Sequence, residues 1–175
     1  KIRVGPEKQA LPKKESVKEA IADKYESLLE PKIGVVLAVV EVDKVGEGKI
    51  FAGDAGVHYM TTFRLLAFKP ELHETVYGEV IDNTEFGAFV RMGPMDGLVH
   101  ISQLMDDYVS YDNKNSIFLG KETKRTLKKG DKVRARIISI SFAEQHKIGL
   151  TMRQAGLGSM NWIEEEKKKR KKAGA

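Results

Sequence analysis

The spacing of apolar residues predicts one helix and a long sheet in the first half of the chain. Apolar side chains recur at helical spacing over residues 16–30, and Pro31 prevents the helix from continuing. Ser16 and Glu19 form a capping box, in which each side chain can bond a free backbone N–H at the helix start. Residues 33–42 are apolar almost throughout, which is typical of a strand covered on both faces. This pattern predicts a helix packed on an antiparallel sheet.

Two glycine-rich stretches divide the strands of this predicted sheet. Residues 45–49 predict a tight hairpin, and residues 53–56 predict a second turn before another long strand. The sequence Gly46-Glu47-Gly48-Lys49 is not a P-loop, because Asp43 stands where the first glycine is needed and Ile50 follows the lysine. The hairpin is therefore either a structural turn or a protruding tip that inserts into a partner.

Alternation over residues 80–103 predicts three short strands joined by turns. The polar residues 82–85 separate the first strand from the second, and residues 93–97 are turn residues between the second and the third. In the second strand Ala88 and Val90 point to one face, which suits a small core. The segment is thus predicted to be a β-meander.

The opposite face of the second strand carries Gly87, Phe89 and Arg91. An aromatic ring beside an arginine, with a glycine that leaves room for a flat group, suits an exposed surface on which a base stacks. Strict alternation would place Phe86 on the core face, so we predict a β-bulge at Gly87 that brings Phe86 next to Phe89. His100, on the third strand, is predicted to extend this surface.

A long insertion follows the third strand, over residues 105–128, and contains the pattern of a further short hairpin. Asp106, Asp107 and Asp112 lie in it, but their spacing fits no calcium loop and no histidine accompanies them. We interpret these carboxylates as turn residues rather than as a metal or catalytic site.

The end of the chain predicts an exposed helix. Over residues 161–170, three glutamates each precede a cation by four residues. Such ion pairs form on the solvent-exposed face of a helix and stabilise it. Trp162 and Ile163 are predicted to fasten the start of this helix to the preceding domain.

Composition narrows the class of protein. The 175 residues have room for one large or two small domains, and the net charge is +5. The sequence contains no cysteine, which excludes disulfides and thiolate metal sites. The absence of cysteine is also consistent with a reducing, cytoplasmic compartment. The longest apolar run, residues 33–40, is too short to cross a membrane. Residues 121–136 contain eight cations and two acids, which are either a phosphate-binding patch or a solvated surface.

Several blocks resemble the ribosomal protein S1 RNA-binding domain: Gly78-Glu79-Val80, Phe86-Gly87-Ala88-Phe89-Val90, Gly97-Leu98-Val99-His100-Ile101-Ser102, and residues 129–137 and 147–153. This resemblance covers residues 74–154 and implies a five-stranded barrel of the OB type that binds single-stranded nucleic acid across one face. Further blocks are similar to the family that comprises the E-prime subunit of archaeal RNA polymerase and the seventh subunit of the eukaryotic polymerases: residues 44–50, 53–54, 105–112, 120–123, 150–154 and 162–166.

The family resemblance implies a fold class and domain bounds. We expect an α+β domain over residues 1–73, with a helix on an antiparallel sheet in a truncated ribonucleoprotein-like arrangement, whose role is docking. An all-β, five-stranded OB/S1 barrel with an inserted hairpin is expected over residues 74–158, followed by a charged helical tail over 159–175.

The same resemblance implies a function. The chain would be a non-catalytic, cytoplasmic stalk subunit of an archaeal DNA-directed RNA polymerase, with no cofactor or metal, and catalysis would lie in the core subunits. Its implied partners are the small helical F subunit of RNA polymerase, with which it would form a heterodimer, the polymerase core and emerging single-stranded RNA. Six residues are implied to bind RNA: Phe86, Phe89, Arg91, His100, Lys132 and Arg134. A tip that docks on the core is implied to contain Val45, Gly46, Glu47, Gly48, Lys49, Gly53 and Asp54.

One alternative is an S1-domain RNA-binding factor of translation initiation or RNA degradation, similar to an exosome cap. An enzyme is disfavoured, because the sequence pattern supplies no nucleophile with its base and no metal cluster.

Overall fold

The structure, a computed structural model, describes residues 1–141 and 148–173. The chain divides into two compact units, residues 1–69 and 70–175. The first residue of the last S1-like block, Lys147, and the last two residues of the expected tail lie outside the described ranges. Within those ranges, no helix is both long enough and apolar enough to span a bilayer.

The first unit is a four-stranded antiparallel sheet with a helix packed on one face. Its elements are β1 (Ile2–Val4), a 3-10 turn (Pro6–Lys8), α1 (Lys13–Tyr25), β2 (Leu29–Glu30), β3 (Gly34–Ile50) and β4 (Val57–Phe68). The strands lie in the order β1-β4-β3-β2. The buried cluster between helix and sheet is entirely apolar: Ile2, Val4, Val17, Ile21, Val39 and Val42. The prediction of a helix on an antiparallel sheet is confirmed.

The helix begins and ends earlier than the apolar spacing predicted. Pro12 occupies the N-cap position and Tyr25 is the last helical residue, so the capping box at Ser16 is wrong. Ser16 lies buried inside the helix, where its hydroxyl donates to the carbonyl oxygen of Lys8 at 2.7 Å. Pro12 has a fixed φ and no backbone N–H that would need an acceptor, which suits the start of a helix. Beyond the helix, Ser27 adopts a φ of 64°, and the chain turns back into the sheet.

The predicted hairpin at residues 45–49 is also wrong, because β3 runs through it without interruption. Val45 and Gly48 both pair with β4, and the register shift between them is a β-bulge. A Cβ on Gly48 would lie 2.9 Å from the ring of Tyr59, so this glycine permits close packing rather than a turn. The connection between the two strands is residues 51–56, which includes the second predicted turn.

The second unit is a five-stranded barrel with an insertion and a C-terminal helix. Its elements are β5 (Thr75–Thr84), β6 (Gly87–Met92), β7 (Met95–His100), a 3-10 turn (Ile101–Gln103), β8 (Val109–Asp112), β9 (Ile117–Gly120), β10 (Thr126–Leu127), β11 (Lys132–Ile140), β12 (Ile148–Thr151), β13 (Gly158–Ser159) and α2 (Met160–Ala173). The barrel order is β12-β7-β6-β5-β11, and pairing of β11 with β12 closes it. The predicted barrel and its inserted hairpin are confirmed.

The insertion forms a separate small sheet in the order β10-β9-β8, and Asn83 fastens it to the barrel. Asn83 is only 4% exposed. Its amide nitrogen donates to the carbonyl oxygens of Ser116 at 2.9 Å and Leu127 at 3.3 Å. The hydroxyl of Tyr111 donates to the carbonyl oxygen of Asn83 at 2.9 Å. These bonds satisfy the amide nitrogen of Asn83, whereas its side-chain oxygen Oδ1 is buried and has no hydrogen-bond partner among the described residues.

The start of α2 is packed as the sequence predicted. Trp162 and Ile163 are buried. Arg125, from the loop before β10, donates to Glu166 of the helix at 2.6 Å and lies 5.6 Å from the centroid of the Trp162 ring. The helix is therefore held by apolar burial at its first turn and by an ion pair a turn later.

We predict that Asn83→Ala loosens the insertion. The substitution removes the donor to two carbonyl oxygens, and leaving buried acceptors without partners costs about 1–3 kcal/mol. Urea denaturation, followed by the fluorescence of Trp162, the chain's single tryptophan, should show that loss in the free energy of unfolding. Amide hydrogen exchange should also accelerate over residues 105–128. Asn113→Ala, at an exposed turn, is the control. Unchanged exchange in the insertion would contradict the anchoring role of Asn83.

Candidate nucleic-acid interface

β6 has the two faces that its alternation predicted. Ala88 and Val90 are fully buried in the barrel, whereas Phe89 is partly exposed and Arg91 is exposed. Phe86 precedes the strand and is 47% exposed. The rings of Phe86 and Phe89 lie 6.0 Å apart at 87°, an edge-to-face pair on the barrel surface. The two phenylalanines are therefore adjacent and accessible.

The bulge predicted at Gly87 lies instead on the neighbouring strand. The pairing of β5 with β6 shifts at Ile81, whereas Gly87 pairs regularly with His100. Phe86 reaches Phe89 from the turn before β6, where alternation no longer decides the direction of a side chain. A Cβ on Gly87 would lie 2.3 Å from a carbonyl oxygen of β7, so glycine is required there by close approach of the backbone.

His100 ends β7 on the same outer face as Phe89. Directly paired residues of antiparallel strands share a face, and His100 is opposite Gly87 while Phe89 is opposite Leu98. The His100 ring is exposed, and its Nδ1 accepts from the backbone N–H of Ser102 at 3.3 Å. We call Phe86, Phe89 and His100 the ring platform.

Arg91 is engaged with an acid on the neighbouring strand. Its Nε and Nη2 donate to Asp96 at 3.0 and 3.3 Å, and this carboxylate raises the pKa of Arg91 further above its ordinary value. Both side chains are exposed, so the pair contributes little to stability. The guanidinium can therefore exchange Asp96 for another anion at small cost.

Lys132 and Arg134 lie on β11, on the other side of β5. Lys132 is exposed and pairs across the strands with Glu79. Arg134 is partly buried, donates to the carbonyl oxygen of Gly156 at 3.2 Å, and lies 5.1 Å from the centroid of the Tyr77 ring. These contacts hold Arg134 in one orientation.

The six predicted residues do not form one cluster. The ring platform lies where β5 ends and β6 begins, whereas Arg91 pairs with Glu79 nearer the middle of β5 and Arg134 pairs with Tyr77 near its start. A single strand of nucleic acid that crosses from the rings to β11 would therefore pass Arg91 on the way.

The predicted tip residues occupy one hairpin of the first unit. Val45, Gly46, Glu47, Gly48 and Lys49 belong to β3, and Gly53 and Asp54 to the connection at its end. Asp54 organises this connection: its carboxylate accepts from Arg3 at 2.6 Å and from the backbone N–H of Gly56 at 2.8 Å, and lies 2.8 Å from His58 Nε2. Arg3 above all, then these other donors, hold the pKa of Asp54 well below its usual range.

Asp107 has a structural role that its sequence spacing did not indicate. Its carboxylate accepts from the backbone N–H and hydroxyl of Thr123 at 2.9 and 2.7 Å, and from the backbone N–H groups of Glu122 at 3.2 Å and Tyr108 at 2.6 Å. These donors, led by Thr123, lower the pKa of Asp107 to about 2. Thr123 and Glu122 lie about fifteen residues away along the chain, so no local pattern links them to Asp107. In the described part of the chain, no three metal-ligating side chains come together.

We expect Asp107→Asn to remove a pH-dependent part of the stability. The ordinary pKa is 3.8 and the folded value is about 2, so the contribution is complete above about pH 4 and is lost as the pH falls towards 2. The fluorescence of Trp162 gives the urea midpoint of the wild type and of the variant. The difference between the two midpoints should be constant from neutral pH to about pH 4 and shrink below it.

Glu122→Gln, an equal change of charge at the exposed neighbouring position, provides the matched control for this titration. A wild-type advantage over Asp107→Asn that stays the same down to about pH 2 would contradict the bonding described for Asp107.

The closed five-stranded barrel identifies the second unit as a domain of the S1 class. A family model described as the S1 RNA binding domain matches residues 69–150. A second, described as the SHS2 domain found in the N terminus of Rpb7p/Rpc25p/MJ0397, matches residues 1–55.

Relatives over the whole chain identify the family. The chain is 38% identical over 170 residues to DNA-directed RNA polymerase subunit Rpo7 of Saccharolobus shibatae, covering 95% of this chain and 94% of that protein. It is 38% identical over 167 residues to the subunit Rpo7 of Sulfolobus acidocaldarius, covering 94% and 91%. Among solved structures it is similar to Mycoplasma genitalium RNase R, with a TM-score of 0.43 and 30% identity over 46% of this chain and 13% of that one. The chain belongs to the Rpo7 family of DNA-directed RNA polymerase subunits, as its sequence blocks indicated.

Proposed function

We propose that this chain is the non-catalytic stalk subunit of an archaeal DNA-directed RNA polymerase and that its barrel binds the emerging single-stranded transcript. In this proposal the first unit docks on the core enzyme together with the F subunit, and catalysis belongs to the core subunits. The observation that carries the RNA-binding role is the exposed pair of phenylalanine rings beside His100 on an S1-type barrel.

The ring platform suits unpaired bases rather than a duplex. Every base has a flat face that stacks on an aromatic ring, whereas bases in a duplex are already stacked on each other. Phe86 and Phe89 meet edge to face, so each can receive a base at a different angle. Recognition by stacking tolerates any sequence, which is what a surface that handles all transcripts requires.

The cations supply a path for the phosphates. Arg91 lies between the ring platform and β11, and its exposed pairing with Asp96 can be exchanged for a phosphate. Lys132 is exposed one strand further on, and Arg134 lies beyond it. Binding through such contacts releases counterions and should therefore weaken as salt rises.

The hairpin of β3 and β4 suits docking on another protein. At its end Ile50 is 75% exposed, and Phe51 is also exposed. The Asp54 network holds the connection before any partner arrives, so less conformational entropy is lost on binding. Apolar side chains presented on a rigid turn are typical of anchors at protein interfaces.

The sheet face of the first unit offers a place for the F subunit. Leu37, Val40 and Leu66 are exposed on neighbouring strands β3 and β4. The bulges at Leu37 and Val40 show that alternation is interrupted where these side chains face outward. An exposed apolar patch of this kind is typical of a surface that a partner covers.

We expect Phe89→Ala to weaken binding of single-stranded RNA about tenfold, because a stacked base contributes about 1–3 kcal/mol. Fluorescence titration of a labelled RNA over a series of salt concentrations measures both the affinity and its salt dependence. Lys132→Gln should lower the slope of log affinity against log salt by about 0.7, since one phosphate contact is lost, while Phe89→Ala leaves the slope unchanged. An RNA affinity that does not change in Phe89→Ala would contradict the role of the ring platform in binding RNA.

Docking has a complementary test. Phe51→Ala should reduce association with the polymerase core at least about tenfold, because a buried aromatic anchor is typically a binding hot spot. Phe51→Ala should leave RNA affinity unchanged, whereas Phe89→Ala should weaken RNA binding and leave association with the core unchanged. Surface plasmon resonance on immobilised core enzyme measures the association with the core separately from the RNA titration. Leu72→Ala, an exposed apolar residue outside the hairpin, is the control. Copurification with ribosomes or an exonuclease instead of polymerase would overturn the assignment.

A further inference from the structure

The insertion carries an exposed aromatic residue that the fold does not use. Tyr108 is 69% exposed and contributes nothing to the buried core. The ammonium group of Lys121 lies 4.2 Å from the centroid of its ring. An aromatic side chain beside an exposed cation is the combination that binds a base and its phosphate in single-stranded nucleic acid.

The exposure of Tyr108 is imposed by a rigid backbone. Its N–H donates to Asp107 at 2.6 Å, and its carbonyl oxygen accepts from the N–H of Lys121 at 2.9 Å. Asp107 is bonded in turn to Thr123. A Cβ on Gly120 would lie 2.4 Å from the Asp107 carboxylate, so the absence of a side chain at Gly120 leaves the space that this carboxylate occupies. The ring is therefore presented from a fixed position rather than from a flexible loop.

The charges around Tyr108 favour an anionic ligand. Three of the acids in the insertion are bonded to other donors: Asp106 accepts from Arg153 at 2.9 Å, Asp112 accepts from a turn N–H at 3.0 Å, and Asp107 is engaged as above. Glu122 remains exposed. The lysines of the insertion are all exposed: Lys114, Lys121, Lys124 and Lys128. A phosphate backbone that passes Tyr108 would meet ammonium groups more readily than free carboxylates.

Tyr108 is also connected to the ring platform by an ordered segment. Tyr108 lies eight positions after His100 in the sequence, so their Cα atoms lie less than about 29 Å apart. The carbonyl oxygen of Gln103 accepts a backbone N–H just beyond β12 at 2.8 Å, and Leu104 and Met105 are buried. Both sites thus belong to the second unit and are joined by packed, hydrogen-bonded residues.

We infer that Tyr108 and Lys121 form a second stacking site for single-stranded RNA, which takes a base and a phosphate beyond those held by the ring platform. This inference rests on the proposed RNA-binding function of the barrel. The second site adds affinity only when the RNA is long enough to reach both sites, because the second contact then forms within one complex.

RNA length provides the test. We expect Tyr108→Ala in the full chain to weaken binding of an RNA of about 16 nucleotides about tenfold and to leave binding of an RNA of about 4 nucleotides unchanged. Tyr108→Phe keeps the ring and should bind both RNAs as wild type does. Leu119→Ala, an exposed apolar residue of the same sheet, should change neither. Ultraviolet crosslinking followed by mass spectrometry should place the longer RNA on Tyr108.

The outcomes separate this inference from the function on which it rests. Phe89→Ala should weaken both RNAs; if it weakens neither while Tyr108→Ala weakens the longer one, the ring platform fails and the second site stands. Equal affinity of wild type and Tyr108→Ala for the longer RNA would overturn the second site. So would an equal loss for both lengths, or a loss of affinity for the polymerase core without a loss for RNA, which would make Tyr108 a protein contact.

Discussion

The filling of the barrel interior is the constraint on which the candidate interface depends. Ala88 and Val90 are fully buried because β6 must contribute its small apolar side chains to a closed five-stranded core. Since neighbouring side chains of a strand point to opposite faces, this burial forces Phe89 and Arg91 outward. The exposed aromatic ring is thus a direct consequence of packing on the other side of the same strand, and it cannot turn inward without emptying the core.

Buried and half-buried polar groups then decide where the insertion lies. The three strands of the insertion are only four, four and two residues long, so their own pairing supplies few hydrogen bonds. Asn83 and Asp107 add hydrogen bonds to segments that are distant in sequence. Asn83, in the barrel, donates to a backbone carbonyl oxygen of the insertion, and Asp107, within the insertion, accepts from the backbone N–H of Thr123. The same bonds that stabilise the insertion also hold Tyr108 in solvent, so the position of its ring follows from the anchoring of the sheet.

The first unit differs from the barrel in that its single helix covers only one face of its sheet. The helix and β1 bury the apolar cluster around Val39 and Val42, while Val40 and Leu66 remain exposed. At the end of the β3–β4 hairpin, the carboxylate of Asp54 joins β1 to the connection. A half-covered sheet and a preorganised turn both fit a unit whose role is to bind other proteins, as proposed for a polymerase stalk subunit.

The amino-acid sequence by itself determined the features that arise within one segment: the two faces of β6 and the helical tail whose start Trp162 fastens. The motif blocks likewise indicated the class of the barrel. Tertiary structure decided what depends on a partner strand. The bulge lies at Ile81 rather than Gly87, the glycines at 45–49 lie within a strand, and Arg91 is paired with Asp96. Periodicity is a local property that any single strand displays, whereas register, close backbone approach and ion pairing exist only between segments that folding brings together.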